Sequence, residues 1–247
     1  MNYINRFYPE STLTGFSFTD GTIAFYQIIN YLINNNPEDV TLLDVGCGRG
    51  AYLDEQSNSY KNHMRNFKGR VKKVIGIDID PEAATNKSIN EFYLLDTTKP
   101  WPIESASVDL CLCDFVVEHV KDIDHFFSEI QRVLKKDGWV SIRTSNALGY
   151  VGLISRIIPN DLHSKVLKKV QKNRKEIDVF PAVYKCNTVS RITRMLKEYN
   201  LNPYVFTHEP EPTYFSFSIA FYYLGVIYQK MAPKILRNAI LAFGQKK

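Results

Sequence analysis

Short apolar runs alternate with amphipathic stretches along the first part of the chain. The runs at 40–45, 71–79, 91–95, 108–115 and 139–144 predict five successive strands. Before the fifth run, apolar residues recur at helical spacing from Ile123 to Leu134, and Asp122 precedes them as a side-chain cap. Asp137 and Gly138 are expected to stop this helix, with Gly138 in the left-handed conformation. Strands that alternate with helices predict a parallel sheet with right-handed crossovers.

Further elements are predicted toward both ends of the chain. Asp20 is placed to cap an amphipathic helix that ends at residues 34–37, and Thr188 to cap another helix late in the chain. Two more runs, at 203–208 and 238–244, predict the sixth and the last strand.

The apolar stretch at residues 215–230 predicts a helix with two interpretations. The favoured one buries the helix between the last two strands, since apolar helices of globular domains usually lie in the core. In the other, its aromatic side chains rest in a membrane interface, and Lys230, Lys234 and Arg237 follow as cations. The stretch is shorter than the ~20 residues that a spanning helix needs.

Composition limits the function classes. Of the 247 residues, 45% are hydrophobic, which suffices for a buried core and excludes a disordered chain. The net charge of +5 fits an anionic substrate or a weak attraction to a membrane surface, and it lacks the dense basic stripe of a nucleic-acid binder. No signal peptide is evident, so we expect a cytoplasmic protein, with peripheral membrane contact as the alternative. The sequence leaves the oligomeric state open.

The four cysteines, Cys47, Cys111, Cys113 and Cys186, do not indicate a metal site or a disulfide scaffold. They form no paired C-x-x-C spacing, and no clustered carboxylate or histidine set stands near the fourth strand, so no metal is expected. Cys111 and Cys113 lie two residues apart in an apolar run, which predicts small buried side chains on one face of a strand.

The segment at residues 42–50 is the first with clear chemistry. An apolar strand leads into Gly46, Gly48 and Gly50, with Asp44 before them and Cys47 between them. Glycines tolerate positive φ and have no Cβ, so the backbone of such a turn can approach a ligand closely. The spacing is G-x-G-x-G, whereas dinucleotide-binding dehydrogenases carry G-x-G-x-x-G.

Acidic residues end the following strands as well. The candidates at these strand ends are Asp78 and Ile79, Asp96 and Thr97, and Asp114 and Phe115. Because the carboxyl ends of parallel strands meet at one edge of a sheet, we expect a single binding crevice there. The stretch at 52–69, between the glycines and the second strand, is long and predicts a lengthened helix or a helix with an inserted turn.

Together these segments resemble the motifs of class I S-adenosylmethionine-dependent methyltransferases. The resemblance implies an α/β fold with a Rossmann-like seven-stranded, mostly parallel sheet, helices on both faces and a helical lid insertion. It also implies that the glycine loop packs along the methionine part of S-adenosylmethionine, while Asp44 orders the loop and indirectly holds the amino group. Asp78 is implied to bind the ribose, Ile79 the adenine face and Asp96 the exocyclic amino group of adenine.

Residues 143–146, 159–163, 174–181 and 184–188 resemble the lid of one bacterial branch of this family. That branch carries a D-V-F-P motif and often accompanies surface-polysaccharide enzymes. The resemblance covers nearly the whole chain and implies a single methyltransferase domain over 1–247. Its expected parts are an N-terminal helical cap (1–38), a cofactor-binding core (39–145), an acceptor lid (146–200) and a terminal strand hairpin with an inserted helix (201–247).

Polar residues of the predicted lid are candidates for the acceptor site, because they can hydrogen-bond a sugar-like or anionic group. They are Arg174, Asp178, Tyr184 and Asn187. Two histidines are candidate general bases, His163 in the lid and His119 after the fourth strand, although a structural role is favoured for His119. A base is needed only where the acceptor begins as an un-ionised hydroxyl.

The sequence therefore favours methyl transfer from S-adenosylmethionine, with O-methylation of a small-molecule or glycan-like acceptor. Residues 114–117 read D-F-V-V, which disfavours the nucleic-acid amino methyltransferases and their N/D-P-P-Y loop. The glycine spacing disfavours a nicotinamide oxidoreductase. A non-catalytic cofactor-binding or scaffolding protein on the same fold stays open, because a fold does not by itself imply activity.

Overall fold

A seven-stranded sheet forms the centre of the computed structural model, which describes residues 3–33, 35–53, 59–157 and 182–247. The strands are β1 (Thr41–Val45), β2 (Lys73–Asp78), β3 (Glu91–Leu94), β4 (Val108–Asp114), β5 (Leu134–Ser145), β6 (Leu201–His208) and β7 (Ala239–Lys246). All seven predicted strands are confirmed, and their bounds differ most at the start of β5.

The strand order is β3-β2-β1-β4-β5-β7-β6. β7 runs antiparallel to β5 and β6, whereas the remaining neighbours pair in parallel. The order reverses beside β1, because the chain runs outward to β3 and then returns to place β4 on the other side. Ligands of open α/β sheets bind outside the carboxyl ends of the strands at such a reversal. The predicted Rossmann-like sheet is therefore confirmed.

Helices cover both faces of the sheet. They are α1 (Ile4–Phe7), α2 (Ser11–Thr14), α3 (Gly21–Leu32), α4 (Ser59–Arg65), α5 (Ile123–Val133), α6 (Tyr150–Ile157), α7 (Val189–Glu198) and α8 (Ile219–Met231). The predicted caps are confirmed, since the side chains of Asp20, Asp122 and Thr188 accept backbone N–H bonds in the first turns of α3, α5 and α7.

Two apolar clusters hold these layers together. Side chains of α3 and α4 pack with Leu42 and Leu110 on one face, and those of α5 and α7 pack with Leu43 and Ile142 on the other. The alternation along β1 follows from the two-residue period of a strand. Cys111 and Cys113 are buried together on the α5 side, as predicted.

The junction between α5 and β5 differs from the prediction. The helix ends at Val133, and Leu134 already begins the strand. The left-handed residue is Asp137, with φ 63°, so the prediction for Gly138 was wrong. Gly138 serves close packing instead, because a Cβ there would lie 3.0 Å from the carbonyl oxygen of Lys135. An aspartate tolerates the left-handed region better than most side chains, which allows the turn at this point.

The favoured interpretation of the late apolar helix is also wrong. α8 buries Tyr222, Gly225 and Val226, whereas Phe221 and Leu224 are more than half exposed. Other helices already cover the two faces of the sheet, so α8 packs beside the sheet on the N-terminal helix α1. Among the residues that the structure describes, no helix is long and apolar enough to cross a membrane.

Several connections start from the edge of the sheet where the parallel strands end. Ser145, at the end of β5, pairs with Ala239, and Ala239 also pairs with His208 at the end of β6. The connection at 209–238, which contains α8, therefore leaves and re-enters the sheet at that edge. The segment that follows Ser145 starts from the same place. The described ends of both segments therefore lie at the same edge as the crevice predicted beside β1 and β4.

Candidate cofactor site

The glycine loop leaves β1 as a turn that requires glycine. Gly46, Gly48 and Gly50 have φ values of 68°, 53° and 68°, in the left-handed region that side chains rarely adopt. The backbone N–H groups of Gly46 and Cys47 both donate to the Ile77 carbonyl, at 2.8 and 3.3 Å. The loop is thereby tied to the end of β2, next to Asp78.

The surroundings of the three glycines show where the loop is open. A Cβ on Gly46 would lie 2.7 Å from Val116 Cγ2, and one on Gly50 would collide with the side chain of Asn86. A Cβ on Gly48 would meet none of the described residues within 4 Å. Side chains at positions 46 and 50 would therefore collide with the protein, whereas the described residues leave space beside Gly48 for a ligand.

Asn86 supports this loop through hydrogen bonds, although no sequence motif points to it. Its Nδ2 donates to the carbonyl oxygens of Cys47, at 2.9 Å, and Gly48, at 3.1 Å. Both carbonyls lie within the left-handed turns, where no regular secondary structure supplies a donor. Only the fold brings residue 86 to the loop, so no local pattern would have identified it.

Asp78 lies beside Gly48, in a position that suits the ribose contact predicted for it. Its Oδ2 accepts from Gly48 N and its Oδ1 from Asp80 N, both at 2.9 Å. Each oxygen of a carboxylate has a second lone pair, so the group can still accept the two hydroxyls of a ribose. The next side chain, Ile79, is 49% exposed and offers an apolar surface for a flat base. These residues fit the nucleoside of S-adenosylmethionine.

Asp96 follows β3 on the exposed side of the same edge, with Thr97 next to it. Its Oδ1 accepts from the backbone N–H and the hydroxyl of Thr98, at 3.0 and 2.7 Å. These bonds, helped by Lys99 at 3.0 Å, lower the pKa of Asp96 to about 2. Asp96 is therefore an ionised acceptor at neutral pH, which suits the amino-group contact predicted for it.

Asp44 lies partly buried at the end of β1. Loss of hydration raises its pKa to about 8, and the negative charges of Asp114 and Asp78 add to the rise. It borders a cavity of about 20 Å³, whose lining includes Tyr26, Tyr52, Arg65 and Ser88. A cavity of this size holds about one water molecule. Arg65 Nε is buried there and has no hydrogen-bond partner among the described residues.

Asp114 forms a buried ion pair that the sequence did not reveal. Arg143 of β5 donates through Nε and Nη2 to the two oxygens of Asp114, both at 2.6 Å, and Tyr26 adds a hydroxyl donor at 3.0 Å. Arg143 Nη1 also donates to Thr22 Oγ1, at 3.0 Å. The Asp114 carboxylate thus connects α3 with the ends of β4 and β5. A contact of Asp114 with the cofactor stays a prediction.

Phe115 continues from Asp114 in an unusual backbone conformation. Its φ is 57°, which is rare for a large side chain and occurs where the surroundings enforce it. The Arg143 guanidinium lies 4.8 Å from the centroid of its ring, and Phe115 N donates to the Arg143 carbonyl at 2.8 Å. The ring remains 45% exposed at the mouth of the crevice, where the resemblance predicts a cofactor contact.

Asn187 lies inside the protein, away from a free acceptor surface. Its Nδ2 donates to Thr144 Oγ1, at 2.7 Å, and to the Ser145 carbonyl, at 3.1 Å. Thr144 in turn donates to Glu118 Oε2 at 2.7 Å, and burial raises the pKa of Glu118. This buried network argues against the acceptor contact predicted for Asn187, because its amide joins the lid to β5.

The remaining predicted residues fall in different places. His119 closes the 3₁₀ turn that follows β4, and Tyr184 has φ 49° and donates its N–H to the Glu118 carbonyl at 3.2 Å. His163, Arg174 and Asp178 lie outside the described residues. Over the ranges that the structure describes, no group of three His, Cys, Asp or Glu side chains is placed to hold a metal ion.

Replacing Asp114 with Asn should destabilise the protein strongly. The substitution leaves the Arg143 cation buried without a counter-ion, which we expect to lower the free energy of unfolding by about 3–5 kcal/mol. Urea denaturation followed by circular dichroism measures this loss. Glu198→Gln is the matched control, since it breaks the exposed ion pair with Arg194 and should cost less than about 1 kcal/mol. Equal losses in the two variants would contradict the assignment.

Replacing Asp44 with Asn should stabilise the protein at alkaline but not at acidic pH. Folding raises the pKa of Asp44 from 3.8 to about 8, so the native protein holds this proton more tightly than the unfolded chain. The wild type therefore loses stability as the pH rises between these values, by up to about 1.4 kcal/mol per unit. Asn cannot ionise, so its advantage should grow from pH ~5 to pH ~8 by about 2–4 kcal/mol. A constant difference in urea unfolding would contradict the raised pKa.

Comparison with known proteins agrees with this geometry. Residues 43–142 match the family model described as "Methyltransferase domain". The Ubiquinone biosynthesis O-methyltransferase of Rickettsia bellii (strain OSU 85-389) is 27% identical over 158 residues, which are 57% of this chain and 63% of that protein. The chain thus spans less than two thirds of the length of the curated relatives it matches.

Solved structures share the fold over almost the whole chain. A SAM-dependent methyltransferase from Archaeoglobus fulgidus superposes with a TM-score of 0.52 at 15% identity, covering 92% of this chain and 95% of that one. Geranyl diphosphate C-methyltransferase from Streptomyces coelicolor A3(2) superposes with a TM-score of 0.53 at 14% identity, covering 91% of this chain and 76% of that one. Residues 43–142 therefore match a methyltransferase domain, and the solved structures show that the chain shares the fold of these enzymes. The glycine loop and Asp78 fit S-adenosylmethionine as the cofactor.

Proposed function

We propose that the chain transfers the methyl group of S-adenosylmethionine to a hydroxyl of a small-molecule acceptor. The main observation behind the proposal is the hydrogen bond from Gly48 N–H, in the glycine loop, to Oδ2 of Asp78 at the end of β2. The two atoms are 2.9 Å apart. This arrangement offers a carboxylate for a ribose and bare backbone for the remainder of the cofactor. When bound, the cofactor supplies a methyl group on a positively charged sulfur that is a good leaving group.

The charge distribution of the crevice supports a cationic cofactor. Asp44, Asp78 and Asp114 lie close enough that the charges of the other two raise the pKa of Asp44. The Arg143 guanidinium neutralises Asp114, whereas the described residues show no ion pair to Asp44 or Asp78. A ligand with positive charge therefore relieves repulsion among the carboxylates when it enters. Bringing acceptor and cofactor into line then removes much of the barrier, about 7–11 kcal/mol in well-oriented systems.

An oxygen acceptor is supported by the names of the relatives and by the polar residues beside the crevice. The curated relatives are O-methyltransferases of ubiquinone biosynthesis, which suggests a hydroxyl-bearing small molecule here too. The glycan-like acceptor expected from the sequence depends on lid residues, of which Tyr184 is the described one that remains a candidate. Phenolic and sugar-type hydroxyls are therefore the two acceptor classes to compare.

Production of S-adenosylhomocysteine with a panel of phenols and sugars tests the proposal. Turnover that depends on one acceptor class would establish the reaction and the class. Cofactor binding without turnover on any hydroxyl acceptor, in well-folded protein, would instead favour the non-catalytic interpretation. Methylation of an amine or a carbon in preference to oxygen would contradict the proposed atom.

A second experiment asks whether His119 removes the acceptor proton. We expect His119→Gln to lower kcat by roughly 10²–10⁴-fold for an un-ionised hydroxyl, with a smaller loss for an acidic phenol that is already ionised. His125→Gln is the matched control, because that partly exposed histidine lies on α5 and contacts the Lys99 carbonyl. A lower melting temperature with unchanged kcat would assign His119 a structural role.

A further inference from the structure

α8 exposes a continuous apolar stripe. Phe221, Leu224 and Met231 follow one another at helical spacing on α8, and Phe217 lies just before the helix. Each of the four side chains is more than half exposed. The ring centroids of Phe217 and Phe221 lie 5.5 Å apart, and Ile235 extends the stripe beyond the helix. Single exposed apolar residues are ordinary, but a contiguous patch of this kind marks a surface that something else covers.

The opposite side of α8 is firmly packed, so the stripe keeps its direction. Tyr222 contacts Tyr3 and Phe7 of the N-terminal segment, with ring centroids 5.9 and 5.4 Å apart. Gly225 lets Pro212 approach, because a Cβ there would lie 2.5 Å from the proline side chain. α8 therefore already has an inner partner, and its outer side faces away from the protein.

The exposed charges beside the stripe are mainly positive. No Asp or Glu occurs from residue 212 to the last residue of the sequence, whereas Lys230 and Lys234 lie exposed beside the stripe. Arg6, on the helix that packs against α8, is exposed as well. The carboxylates beneath, Glu209 and Glu211, are buried and accept hydrogen bonds from Asn238 and Ser17. The outward field of this region is therefore positive.

We infer that α8 and the residues after it bind an anionic lipid surface. Aromatic and aliphatic side chains flanked by lysines are suited to the boundary between headgroups and acyl chains, where the apolar part is buried and the cations meet anionic headgroups. With 13 residues, α8 fits a helix that lies in the plane of the interface. A protein partner would need an apolar groove with acidic residues around it. An anionic lipid surface offers acyl chains and negative headgroups side by side.

The position of α8 determines which side of the molecule would face a membrane. The connection that contains α8 starts and ends at the edge of the sheet where β4 and β5 end. A membrane bound there would lie on the same side of the molecule as the glycine loop and Phe115. Lipid binding is a separate property from methyl transfer, and it can be measured without cofactor or acceptor.

Co-flotation of the full chain with phosphatidylcholine vesicles, with and without phosphatidylglycerol, tests the inference. We expect binding to the anionic vesicles that weakens with added salt. Phe221→Ser with Leu224→Ser should weaken it at least roughly tenfold, because two large apolar side chains no longer enter the interface. Lys230→Gln with Lys234→Gln should weaken binding to anionic vesicles roughly 25-fold, about fivefold for each cation.

Tyr31→Ser is the matched control, since Tyr31 is as exposed as the stripe but lies at the far end of α3. It should leave flotation unchanged, and unchanged melting temperatures should show that every variant is folded. No flotation of the wild type with anionic vesicles would overturn the inference. So would a stable dimer in analytical ultracentrifugation that the Phe221 and Leu224 substitutions dissociate, because a second copy would then cover the stripe.

Discussion

The burial of carboxylates side by side at one edge of the sheet is the constraint on which the site depends. The parallel strands bring Asp44, Asp78 and Asp114 together at the reversal of strand order, because their carboxyl ends share that edge. Each carboxylate is accommodated differently. Asp114 has a buried guanidinium, Asp78 accepts two backbone N–H groups, and Asp44 has a raised pKa. The crevice therefore favours a ligand that brings positive charge.

The same constraint organises the parts added to the sheet. The Arg143 guanidinium that neutralises Asp114 also bonds Thr22 and lies over the rings of Phe25 and Tyr26, so it fixes α3 against the strand ends. The network around Thr144 and Asn187 fixes the start of α7 in a similar way. The same buried polar groups thus lie beside the crevice and hold the helices in place.

Local chemistry predicted much of this structure from the sequence. Caps such as Asp20, the positive-φ glycines and the strand-ending Asp78 follow from interactions within a few residues. The partner of Asp114 did not follow, because Arg143 and Tyr26 are separated from it by 29 and 88 residues. The apolar pattern of α8 also led to a wrong prediction of burial. Such a pattern shows that side chains avoid water, but not whether the protein itself or another surface covers them. Asn187 was misplaced for a related reason, because a polar side chain can serve a buried network as well as a ligand.

Calorimetric titration with S-adenosylmethionine is the most direct test of the account, with NADH as the comparison ligand and Asp78→Ala in parallel. The account predicts binding of S-adenosylmethionine, no binding of NADH, and an affinity at least roughly tenfold weaker in the variant, because a charged hydrogen-bond acceptor for the ribose is lost. Well-folded protein that does not bind S-adenosylmethionine, or that binds it equally well without the Asp78 carboxylate, would contradict the central claim.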